Sequence, residues 1–161
     1  MRALLAALLL AVGVAACGGA GDGSGACGPV RREPLDARAV HVLPGADEPE
    51  YRTDPPTSGP HLPAPSTEDV RAEPIAAPVQ VGLLEEGAVL LQHVGLSDEE
   101  RAEVEALAGD GVVVAPAEAL PDDAAVVATA WVTKQVCTDV DTDALTTFAE
   151  AHVEQAPDTH E

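Results

Sequence analysis

Aromatic residues are nearly absent: Tyr51, Trp131 and Phe148 are the only three in 161 positions. The core must then be built from Val, Leu and Ala, with Trp131 and Phe148 as its anchors. Positive charge is also scarce. Lys134 is the single lysine, 8 Lys and Arg stand against 28 Asp and Glu, and the formal net charge is −20. Such a surface repels polyanions, which excludes nucleic acid and anionic headgroups as electrostatic partners. Familiar catalytic signatures are missing too. There is no G-x-S-x-G nucleophile turn, no Cys-x-x-Cys and no Gly-rich phosphate loop after a strand. The residues therefore lean away from an enzyme, and no cofactor is expected.

What is present starts at the N-terminus. Arg2 precedes an apolar run from Ala3 to Val14 interrupted by Gly13. That run is too short to span a bilayer and suits the apolar segment of a signal peptide. Val14-Ala15-Ala16-Cys17 follows, then Gly18-Gly19. This resembles the bacterial lipobox, in which small residues precede a cysteine that is lipidated and becomes the mature N-terminus. The resemblance implies loss of residues 1–16, acylation of Cys17, and a protein anchored to the cell membrane facing outside the cytoplasm. Two or more acyl chains hold stably where one holds marginally. Residues 17–28 read as a Gly-rich tether with a reach of roughly 15–18 Å.

With Cys17 lipidated, Cys27 and Cys137 remain, and an oxidising compartment predicts a disulfide between them. Two unpaired thiols or a metal-binding pair are the alternatives.

Residues 29–157 read as one α+β domain: a single small mixed sheet, two packed helices and a proline-rich loop. Val40 to Leu43 has the composition of a short strand, which makes His41 an exposed strand histidine rather than a ligand. Val79 to Leu84 and Ala88 to Gln92 are apolar, β-compatible runs around Glu85-Glu86-Gly87, so Glu85 and Glu86 read as turn acids. Ser97 with Glu100 is a capping box opening a helix from Asp98 to Ala108, stopped by Gly109. Val112 to Ala115 is a short strand, and Ala124 to Val132 a central one. A last helix starts at Asp141 or Thr142. Leu145, Phe148, Ala149, His152 and Val153 form its buried stripe, with His152 at the edge. Residues 158–161 are expected to fray.

The most distinctive stretch is 51–65, YRTDPPTSGPHLPAP. Pro55 and Pro56 fix two φ angles, Thr57 and Ser58 offer hydroxyls to the local backbone, and Gly59 can turn where other residues cannot. The result is a stiff loop holding His61 with little entropy left to lose.

Tyr-x-x-x-Pro-Pro-Thr-Ser-Gly-Pro-His at residues 51–61 resembles the hallmark of a bacterial family, domain of unknown function 3105. His41-Val42, Leu84-Glu85-x-Gly87-x-Val89 and Ala128-Thr129-Ala130-Trp131 fall in matching order. The family's second block reads roughly His-x-x-x-Glu-His-Gly. Together with the loop histidine, that block implies a metal or catalytic site. Here the two histidines fall on Gly82 and Glu86, so only His61 and Glu85 match.

Three functions stay open. The first is a non-catalytic domain contacting another cell-envelope protein or a small ligand through Tyr51, Pro55, Pro56, Ser58, Gly59 and His61. The second is a metal-binding or metal-dependent domain using His61, Glu85 and Glu86. The third is a structural loop with function elsewhere. The first is favoured, with no metal expected.

Overall fold

The computed structural model describes residues 25–157 apart from 39, 44, 46, 48, 65–67 and 122. The signal segment, Cys17 and the C-terminal tail at 158–161 lie outside the described residues. Among the described residues, no helix is long and apolar enough to cross a membrane.

Strand β2 (Val89–His93) pairs in parallel with β3 (Val112–Pro116) on one side. On its other side it runs antiparallel to β4 (Val126–Ala130), which in turn pairs antiparallel with β5 (Thr133–Cys137). A two-residue edge strand, β1 (Arg31–Arg32), completes a mixed sheet in the order β1-β5-β4-β2-β3. Helices α1 (Ala77–Glu85), α2 (Asp98–Glu105) and α3 (Thr142–His152) complete the element list. This is a small α+β fold.

Side chains alternate across a strand, so each strand feeds two layers. Val89, Leu91, Val112, Val114, Val126 and Ala128 face α2 and α3, where they pack with Val104, Leu145 and Phe148. Leu90, Val113 and Ala115 face the other way and pack with Ile75, Leu83 and Leu84 of the α1 segment. Phe148 is buried as an anchor, whereas Trp131 sits partly buried at the edge of the α1 layer.

The capping box is present: Ser97 accepts from the Glu100 N–H while the Glu100 carboxylate accepts from the Ser97 N–H. Asp141 caps α3 through the Ala144 N–H. His152 lies against Phe148, with ring centroids 4.6 Å apart.

Four expectations are corrected. The apolar run at Val79 to Leu84 is a helix, not a strand, giving three helices rather than two. Pro78 sits in its first turn, and six of its nine residues are buried, so an all-round apolar sequence suits it. Val40 to Leu43 forms no strand, only an isolated bridge between His41 and His61. The central strand stops at Ala130, because Trp131 and Val132 turn the chain into β5, which pairs Thr133 with Ala130. Helix α2 ends at Glu105, ahead of the expected Ala108.

The disulfide is there. Cys27 and Cys137 are bonded, 110 positions apart in sequence. Around it the N-terminal segment runs beside β5 through Gly28 N–H to Val136 O and Thr138 N–H to Ala26 O, each 2.8 Å. Gln135 adds an Nε2 donor to Gly28 O.

Candidate metal centre

The proline loop is a buried strap rather than a surface finger. Every residue from Pro55 to His61 is buried. It lies on the α1 side of the sheet over β5, where Lys134 Nζ donates to Asp54 O at 2.8 Å and Val132 N–H donates to Thr57 O at 2.9 Å. The Asp54–Pro55 peptide is cis. Ser58 Oγ accepts from the Asp36 N–H, and Tyr51 Oη donates to Pro60 O at 2.8 Å. Gly59 holds φ at +127°, and a Cβ there would press on Asp36 and Tyr51, so this turn excludes other residues. Asp36 is itself buried and gripped by Arg38 at 2.6 Å, which lowers its carboxyl from the ordinary 3.8 to about 2.

These contacts fix His61, which is 2% exposed. Its Nδ1 lies 3.0 Å from Gly59 O. A carbonyl can only accept, so Nδ1 carries the hydrogen, and in the neutral ring Nε2 is a bare lone pair. That Nε2 sits 2.6 Å from Glu85 Oε2. A ring nitrogen whose opposite N–H is tied to a backbone carbonyl is the usual posture of a metal-ligating histidine.

Glu85 arrives because α1 is pressed onto the end of the strap. Leu62 N–H donates to Pro78 O at 3.0 Å, and a Cβ on Gly82 would overlap the Leu62 carbonyl oxygen. Only glycine permits this approach, and the next turn delivers Glu85, the last residue of α1. The helix then closes with Ala88 N–H to Leu83 O and Gly87 N–H to Leu84 O, the double bond of a Schellman end.

His41 completes the group. His61 N–H donates to Val40 O and Val42 N–H to His61 O, so the two chain segments run side by side. The His41 ring stands edge-on to His61, with centroids 4.8 Å apart and planes at 83°. One ligand atom each from His41, His61 and Glu85 falls within 4.8 Å of the others. Bonds of about 2.0–2.1 Å to a shared ion place ligand atoms closer than that, so the exposed His41 has a short distance to travel.

The expected site residues thus divide. Tyr51, Pro55, Pro56, Ser58 and Gly59 build and hold the strap; His61 and Glu85 meet. Glu86 is exposed and takes no part in the group. Glu85 is not a turn acid but the end of a helix. The sequence makes His41 an exposed strand histidine and not a ligand; it is exposed, yet its ring stands against His61. The missed signal was the pairing of residues 40–42 with His61, which nothing in local composition records.

The family model that matches is protein of unknown function (DUF3105), over residues 45–161. The chain belongs to that family. No curated protein matches it. No solved structure matches it. His41 precedes the matched span, and histidines at the positions of Gly82 and Glu86, which the resemblance implies, could not serve here. The first has no room for a side chain, and the second faces solvent.

Proposed function

We propose that this DUF3105 domain binds one transition-metal ion through His41, His61 and Glu85, and works outside the cytoplasm on a lipid anchor at Cys17. The observation that carries the metal reading is the convergence of one ligand atom each from His41, His61 and Glu85 within 4.8 Å. The His61 Nδ1 is held by Gly59 O, which turns Nε2 towards the Glu85 carboxylate at 2.6 Å. To share an ion at about 2.0–2.1 Å these two atoms would part to roughly 3 Å while His41 closes in.

Two imidazoles and one carboxylate suit zinc, copper(II) or iron(II), and three protein ligands leave a position open. His41 is the exposed member of the three, so an ion held there would be reached from its side. Binding and delivery of the ion, rather than chemistry on a substrate, agree with the lack of recognisable catalytic motifs in the sequence.

The test is metal analysis of full-length protein purified without chelator or histidine tag, followed by zinc titration. One equivalent is expected in the parent and in Glu86→Gln, with loss in His61→Ala and Glu85→Gln. Sub-stoichiometric metal, or equal binding in all four, would overturn the reading. The anchor is tested separately by mass spectrometry: an acylated Cys17 with residues 1–16 absent supports it, and a free Cys17 thiol refutes it.

A second reading gives the same site a protein partner. Val40 and Leu43 flank His41 at 59% and 79% exposure, an apolar lip beside the open position. A cell-envelope protein that exchanges the ion would dock there. Leu43→Asp should slow metal transfer to such a partner and leave zinc affinity unchanged; an unchanged transfer rate removes this reading.

A further inference from the structure

A second polar site lies on the same side of the sheet, at the other end of β2. Gln80 is in the first half of α1, and Gln92 is the penultimate residue of β2. They line one cavity of about 420 Å³ together with Ile75, Ala76, Ala117 and Glu118. Gln80 is 8% exposed and Gln92 3%. Both side-chain oxygens are buried and accept no hydrogen bond among the described residues. The orientation of Gln80 is determined: its Nε2 donates to Ile75 O at 2.6 Å, which leaves Oε1 as the idle atom.

A buried acceptor without a donor is costly, and two in one cavity point to a missing donor. Glu118 at the rim is exposed and adds negative charge. The α1 N-terminus offers little to an anion. Pro78 has no N–H, and the Val79 and Gln80 N–H groups are both spent on Ala76 O. Acceptors, a carboxylate and few free donors together select a cation that carries N–H groups. Two amides and one exposed carboxylate fall short of the six to eight oxygens that calcium takes.

We infer that the Gln80–Gln92 cavity binds a small molecule through a primary ammonium group, donating to both glutamine oxygens with Glu118 balancing its charge. The volume lies within the range of small-ligand sites. The site is separate from His61 and does not depend on metal.

The experiment is calorimetric titration of the full-length chain in detergent with ethylammonium chloride, beside tetramethylammonium and calcium chloride at equal ionic strength. Saturable binding of ethylammonium is expected, at least tenfold weaker for tetramethylammonium, which has the charge but no N–H. Gln92→Met should weaken ethylammonium about tenfold or more by removing one acceptor at nearly constant volume. It leaves the Gln80–Ile75 hydrogen bond in place, and its unfolding curve reports that the domain still folds. Equal affinity for the two ammonium ions, preference for calcium, or no saturable heat with the cavity filled by water alone would each overturn the inference. Zinc titration of Gln92→Met should match the parent, which keeps this outcome distinct from failure of the His61 site.

Discussion

The two faces of the sheet are built to different rules. Against α2 and α3 lie mostly Val, Leu, Ala and Phe, with His93 and Gln135 the buried polar side chains there, and the Cys27–Cys137 bond closes one side. Against α1 and the strap, the buried set includes Thr57, Ser58, His61, Gln80, Gln92, Thr129 and Lys134. Burying a polar group costs free energy unless it is paired. The first face accordingly looks like structure, and the second carries both candidate sites. On it Gln80 Oε1 and Gln92 Oε1 lack a hydrogen-bond partner among the described residues, against Gln135 Oε1 alone on the first face.

The sharpest way to break this division is to damage each face and measure different things. Phe148→Ala should cost about 3–5 kcal/mol of stability by opening a cavity in the α2/α3 core. Urea unfolding checks it, and zinc affinity of the folded fraction should be unchanged. Replacing Cys27 and Cys137 together by serine should cost about 2–4 kcal/mol, because the unfolded chain regains the freedom of a long loop. The metal site should again survive; a lost site would mean the faces are coupled.

Gly82→Ala acts the other way. Its methyl has no room beside the Leu62 carbonyl, so α1 must lift from the strap. A stability loss of about 1–3 kcal/mol is expected from such overpacking. Zinc affinity should fall at least about tenfold although no ligand has changed, as expected when the support of a site is shifted. Unaltered affinity would show that Glu85 does not depend on this helix packing.

The smallest effect concerns acid. The Arg38 guanidinium beside Asp36 lowers its carboxyl from 3.8 to about 2. The carboxylate therefore stabilises the strap fully above about pH 4, and that contribution fades as pH falls from 3.8 towards 2. Asp36→Asn should flatten the acid limb of a stability-against-pH curve in that window, with little further effect of pH above it.

Much of the α2/α3 face was readable from the sequence. Ser97, Glu100, Asp141 and the stripe Leu145–Phe148–Ala149 announce their helices by local chemistry that the structure reproduces. The other face resisted for physical reasons. A helix that is apolar all round, such as α1, has no amphipathic period to separate it from a buried strand. The β4–β5 turn at Trp131-Val132 carries none of the Gly, Asn or Asp that mark tight hairpins, so nothing local marks β5 with its Lys134 and Gln135 as a separate strand. The strap was identified by its prolines and Gly59, but its burial depends on Lys134, about eighty residues away. His41 joins His61 through backbone pairing that leaves no trace in residue type.

The central claim is that His41, His61 and Glu85 surround one metal ion. X-ray absorption on the zinc-loaded full-length chain, beside His41→Ala, tests it most directly. A shell of nitrogen and oxygen at about 2.0–2.1 Å containing two imidazoles is expected, reduced to one in the variant. A shell identical in both proteins, or one without imidazole, would contradict it.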